Sequence, residues 1–208
     1  MDWRFDGQNG SVERENIKPL NVFYSRFDNF QKIVKSKTNK YKVIKITPYA
    51  PHHRDDIVNL ILTIQQIEFQ VPITIDDQPD LLIIDAYYQQ RNGQFWVALN
   101  VDNEVVGTIA LIDNGQPFGT IRKMFVRADA RGKEGGVAAA LFQTLEQKAM
   151  ENGMNALYLG TVHKLKASHR FYNKNGFHEI PKADLPPNYP LMLVDTMFFK
   201  KELSLLLG

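Results

Sequence analysis

The 208-residue chain contains no cysteine, so disulfides, thiolate nucleophiles and cysteine-ligated zinc or iron–sulfur centres are excluded by inventory. Long apolar runs are also missing. Stretches such as Leu81–Ile84 and Leu191–Val194 fall far short of the roughly 20 residues that span a bilayer. No signal-peptide apolar region follows Met1, so a cytoplasmic protein without a membrane partner is expected. Neither sign of charge dominates, with 25 Lys and Arg against 23 Asp and Glu. Residues 1–40 carry eight basic against five acidic side chains, and their Lys32, Lys35 and Lys37 read as a solvated lead-in. The rest lacks the basic face that displaces counterions from phosphates, so no nucleic-acid partner is expected. Hydrophobic residues make up 44% of the chain and charged ones 23%, enough to bury a core in one domain with an extension.

Residues 1–40, rich in Asn and charge, read as a partly ordered N-terminal extension, and residues 41–208 as the domain. Tyr41–Thr47 alternates as a first strand. Asp55 or Asp56 can cap a helix in which Ile57, Leu60, Ile61, Ile64 and Ile67 recur at helical spacing, ended by Pro72. Asp80 can cap a second, short helix reaching Tyr87 or Tyr88, which Asn92 and Gly93 close. Phe95–Asn100 and Val105–Ile112 flank a polar turn and read as an antiparallel hairpin. Gly119–Val126 is a further strand. A loop over 127–135 leads into a helix from about Gly136 to Asn152, with Gly153 just past its end. Ala156–Thr161 is a strand, Ala167–Asn175 a helix stopped by Gly176, and Phe177–Ile180 and Val194–Lys200 the closing strands. This order predicts a mixed α/β fold, α+β-like, with a mixed sheet of about six to seven strands flanked by about four helices.

Chemistry concentrates where the strand ending at Val126 enters a glycine-rich loop and then a helix. Gly132, Gly135 and Gly136 permit torsions other residues resist and leave the amides unshielded. Amides gathered at a helix N-terminus aim donors and partial positive charge at an anion, and Arg131 and Lys133 add full charges. Such a loop can cradle a phosphate. A Walker loop is excluded because Glu134 follows Lys133, and the dinucleotide fingerprint needs a different glycine spacing. His163 and His169 lack a carboxylate at metal-ligand spacing, so no metal is expected.

The segment Lys133-Glu-Gly-Gly136-Val-Ala138, preceded by Arg131-Gly132, resembles the pyrophosphate loop of the GNAT acyl-CoA-dependent N-acyltransferase superfamily. Downstream, Phe171-Tyr172-Asn-Lys-Asn-Gly176-Phe177 is similar to that family's second motif, in the right order and one strand later. The likeness covers roughly residues 41–200. Two positions depart from the pattern: Ser168 stands where alanine is frequent and Leu165 where asparagine is usual.

The resemblance implies an N-acetyltransferase that uses acetyl-CoA as acyl donor on a primary amine of a small molecule or peptide. The alternative is a noncatalytic CoA-binding, acyl-sensing or protein-interaction module on the same fold. Cofactor contacts would fall on Phe125, Val126, Arg131, Gly132, Lys133, Gly135, Gly136, Val137, Ala138 and Ser168. Strands 119–126 and 156–161 would splay to admit the pantetheine arm, with the Val126 amide donating to the thioester oxyanion. Tyr172 resembles the general acid that protonates the leaving sulfur. Attack would be direct, since no cysteine can carry the acyl group. The base is open between Glu68 and His163, with Asp195 third. The acceptor pocket is expected from Gln65–Leu82 and Leu185–Met192. Asp76, Asp77 and Asp80 read as a solvated turn and helix cap rather than a cation trap. Pairing through the final strands makes a homodimer conceivable.

Overall fold

A computed structural model of the chain describes residues 44–132, 136–192 and 194–204. The expected extension over 1–40 and the start of the first strand lie outside the described residues. Seven strands form one sheet: β1 Lys45–Pro48, β2 Gln94–Leu99, β3 Val105–Asp113, β4 Phe118–Val126, β5 Ala156–Thr161, β6 His178–Ile180 and β7 Met197–Glu202. Their spatial order is β1-β2-β3-β4-β5-β7-β6. β4 and β5 are parallel and the other neighbours antiparallel. Four α-helices accompany them: α1 Arg54–Leu62, α2 Ile84–Tyr88, α3 Val137–Glu151 and α4 Lys166–Lys174. The mixed sheet with helices is thus the fold the motif order predicts. Among the described residues, no helix is long and apolar enough to cross a membrane.

The sheet separates two apolar layers. On one face α3 buries Val137, Leu141, Leu145 and Ala149, four apart, with Phe142 against Ile109, Leu157 and Phe199. Each large side chain so buried contributes about 1.5–3 kcal/mol relative to exposure. On the other face Ile57, Leu60, Ile61, Leu81 and Ile84 pack with Phe95 and Val97.

Several local expectations shift for identifiable reasons. The first helix is entered through a 3-10 turn, Pro51–His53, so Asp55 and Asp56 sit in its first turn rather than at the cap. Acidic groups there still favour the helix dipole. From Thr63 to Glu68 the helix widens to a π turn, closed by Phe69 N–H donating to the Ile64 carbonyl at 3.1 Å. The extra residue per turn advances the phase, which leaves Ile67 68% exposed while Ile64 stays buried. Asp80 caps nothing: it lies in a 3-10 turn, Pro79–Leu81, and is buried, while α2 starts only at Ile84. The last strand is β7, which starts three and ends two residues later than its sequence reading, and it is paired on both sides, by β5 and β6. The free edge on that side is β6, only three residues long. So short an edge offers little for strand pairing with another chain.

A candidate active-site cleft between two parting strands

β4 and β5 pair only from Phe118 and Ala156 to Ile121 and Leu159, although they continue to Val126 and Thr161. The strands therefore part beyond Ile121. A β-bulge in β4 marks the same place: against β3, Thr108 faces Phe125 and Ala110 faces Arg122, so Lys123 and Met124 together oppose Ile109. Lys123 adopts φ +49°, the left-handed region, at a cost of order 1–2 kcal/mol for a residue with a Cβ. The hydroxyl of Thr108 donates to the Lys123 carbonyl at 2.7 Å and helps hold the bulge.

Beyond the bulge, the Arg127 N–H donates to the Val106 carbonyl on β3 at 2.8 Å. Amides alternate in direction along a strand, so the Val126 N–H points to the opposite, unpaired edge. The cleft there is lined by Met124, Phe125 and Val126 on one side, Arg131, Gly132 and Ala138 at one end, and Ser168, Phe171 and Tyr172 opposite. Gly132 and Gly136 have φ +98° and +59° with nothing within 4 Å of where a Cβ would stand, so torsion rather than crowding calls for glycine. Gly136 is the residue preceding α3, whose first amides are free of intrahelical acceptors. Of the cradle residues, Lys133 and Gly135 lie outside the described residues, and Val137 is buried at the start of α3.

Arg131 is already engaged. Its Nε donates to the Val126 carbonyl at 2.7 Å and its Nη2 to Glu68 Oε2 at 2.8 Å, with Nη1 on the other carboxylate oxygen. The guanidinium also lies over the Phe69 ring, 5.8 Å from its centre. Glu68 thus faces the loop arginine rather than the cleft, and His163 is exposed and outside the lining. The third candidate, Asp195, is on the wall.

Tyr172 stands where this cleft meets a second chamber. Its ring is wedged among Phe171, Phe177 and Phe199, with centroids 5.6–6.0 Å away, and its residue lines both chambers. Its hydroxyl has no hydrogen-bond partner among the described residues. Burial pushes the phenol's pKa well above 10, and the nearby Asp195 charge adds to the rise. It is a proton donor that holds its proton.

The second chamber is open to solvent at its mouth. The segments around Gln65–Gln78 and Met192 contribute to its wall. Its two cations were not foreseen. Arg122 donates from Nη1 to Asp195 Oδ2 at 3.0 Å and from Nη2 to the Pro190 carbonyl. The Lys123 ammonium reaches Gln78 Oε1 at 2.7 Å and Asp80 at 3.1 Å, and the Tyr88 hydroxyl donates to Asp80 at 2.5 Å. These side chains are buried: 7% exposed for Arg122 and Asp195, 4% for Lys123. Burial lowers the Lys123 pKa against the pull of Asp80, and raises that of Asp195 against the pull of Arg122. Asp195 lies against Gly160 of β5, where an added Cβ would come within 2.1 Å of its Oδ2. The signal in the sequence was Arg122-Lys123 itself, two adjacent cations inside an otherwise apolar strand. Asp77 instead accepts from the Thr74 amide and hydroxyl at 2.8 and 2.9 Å, the solvated turn expected of it.

The family model "Acetyltransferase (GNAT) family" matches residues 58–177. A GNAT-family acetyltransferase structure from Staphylococcus aureus Mu50 is 35% identical, with TM-score 0.75, covering 78% of this chain and 100% of that one. An acetyltransferase structure from Streptococcus agalactiae 2603 is 32% identical, with TM-score 0.73 and coverage of 77% and 98%. N-acetylaspartate synthetase of Danio rerio is 34% identical over 108 residues, which are 50% of this chain but 37% of that protein. With the family model spanning more than half of the chain, and both solved relatives matched over almost their whole length, the chain belongs to the GNAT acetyltransferase family.

Proposed function

We propose that residues 41–208 form an N-acetyltransferase that moves the acetyl group of acetyl-CoA directly to a primary amine. The pyrophosphate binds the amides at the start of α3 and the loop around Gly132, Lys133, Gly135 and Gly136, with Val137 and Ala138 contributing main chain. The pantetheine arm runs along the unpaired edge at Met124–Val126 like an added strand, past Ser168. This aims the thioester at the junction of the two chambers. Such placement converts an encounter into a positioned reaction.

The neutral amine attacks the thioester carbonyl from the second chamber, forming the C–N bond while charge grows on the carbonyl oxygen. The Val126 N–H donates to that oxygen. As the C–S bond breaks, its electron pair goes to sulfur and Tyr172 supplies the proton that makes the free thiol. The proton lost by the amine passes to Asp195, of the three candidate bases the one on the chamber wall. Glu68 serves instead to hold Arg131.

The observation that carries this reading is the unpartnered Tyr172 hydroxyl, on a ring fixed by three aromatic neighbours and bordering both chambers. Tyr172→Phe keeps the ring and removes the donor. Release of free thiol from acetyl-CoA in the presence of an accepted amine should fall about 10²- to 10⁴-fold, with the affinity for CoA unchanged. Unaltered turnover would reject the acid role.

A further inference from the structure

The second chamber presents a charge pattern that acetyl transfer alone does not require. In a regular strand consecutive side chains point to opposite faces, so Arg122 and Lys123 would part. The bulge and the left-handed Lys123 bring both to one chamber. Asp80, which neutralises Lys123 from behind, is not on the wall, whereas Asp195 is. The ligand therefore meets two cations and one carboxylate.

These cations also keep donors in hand. Among the described residues, Lys123 directs two contacts, to Gln78 and Asp80, from three ammonium protons. Arg122 directs one to Asp195 and one to Pro190 from five N–H groups, and its guanidinium also lies over the Tyr189 ring, 5.5 Å from its centre. Because Arg122 and Asp195 touch, at 3.0 Å, cationic and anionic wall groups are separated by about the distance between the amine and carboxylate of one amino acid.

Resting on the acetyl-transfer reading, we propose that the acceptor is an amine that carries a carboxylate close to the reacting nitrogen, that is, an amino acid or a near analogue. Its carboxylate is held by Lys123 and Arg122, and its amine faces Asp195 and the thioester beside Tyr172. Acetylation at that nitrogen gives the N-acetyl amino acid and free CoA thiol. The amine proton goes to Asp195, and the thiol proton comes from Tyr172.

The test uses the full chain with acetyl-CoA and a panel of free amino acids, each beside its carboxamide, together with alkylamines and polyamines. At least one free amino acid should be acetylated with kcat/KM roughly 10- to 100-fold above its own carboxamide, the worth of a charge-assisted contact. Lys123→Gln should reduce that ratio toward unity while leaving the thermal shift induced by CoA in place. Should Lys123→Gln fail to fold, the wild-type ratio alone decides. Equal or better use of carboxamides, alkylamines or polyamines overturns the proposal, and so does a lack of turnover with every free amino acid. A CoA-induced thermal shift separates the two claims: absence of that shift strikes at the transferase reading, while its presence without discrimination between acid and amide removes only the acceptor assignment.

Discussion

The two chambers that meet at Tyr172 are built from different materials. The side proposed for the donor consists of main chain: an unpaired strand edge, glycines with positive φ and the first turn of a 15-residue helix. The side proposed for the acceptor consists of side chains, with Arg122, Lys123, Asp195 and Gln78 drawn from distant parts of the sequence and their side chains buried together. Backbone recognition serves one constant ligand and tolerates wide change in side chains. Side-chain recognition fits one acceptor and can be rewritten at a few positions. If this contrast is sound, changes on either side should leave the other side's readout alone.

The largest effect is expected from Asp80→Ala. It strands the Lys123 ammonium in the core with only the Gln78 carbonyl, and removing one member of a buried ion pair costs about 3–5 kcal/mol. Chemical denaturation should show that loss, whereas CoA should still raise the melting temperature of the folded fraction. On the donor side, Gly136→Ala puts a Cβ on a residue at φ +59°. It should cost about 1–2 kcal/mol, seen as weaker CoA binding in calorimetry with an unchanged preference among acceptors. Smallest of all is Glu68→Gln. The Arg131 pair it weakens is about one third exposed on both sides, so stability should change by less than about 1 kcal/mol. The rate should fall far less than with Tyr172→Phe, which would distinguish a loop brace from a base.

A pH profile sharpens the same division. Burial raises the Tyr172 pKa above its ordinary 10, so the donor keeps its proton as pH climbs, and loss of donation begins only beyond that value. With a good acceptor, kcat should rise as the amine deprotonates and then hold level to about pH 10. A falling limb well below pH 10 that Tyr172→Phe abolishes would contradict the assigned acid.

What was legible in the sequence follows the same line. The family motifs could be read because their signals are local: Arg131 to Ala138 and Phe171 to Phe177 are continuous segments, and glycine spacing reports backbone torsion directly. The hairpin, α3 and β5 were equally plain, since each has one clear period. The ion-pair network of the second chamber escaped because its partners are 73, 45 and 43 positions apart in Arg122–Asp195, Lys123–Gln78 and Lys123–Asp80. Asp80 beside a proline looks like a cap until Lys123 arrives from β4. The π turn at Thr63–Glu68 has no sequence mark, so Ile67 was assigned to the buried stripe that the widened helix turns away. Likewise, nothing local reveals that Arg131 and Glu68 meet.

Amide hydrogen exchange with and without CoA probes the donor geometry most directly. The account predicts new protection at Met124 and Val126 and at the first amides of α3, around Val137 and Ala138, with the far ends of β4 and α3 unchanged. Protection confined to other segments, or none at either place with CoA saturating, would contradict it.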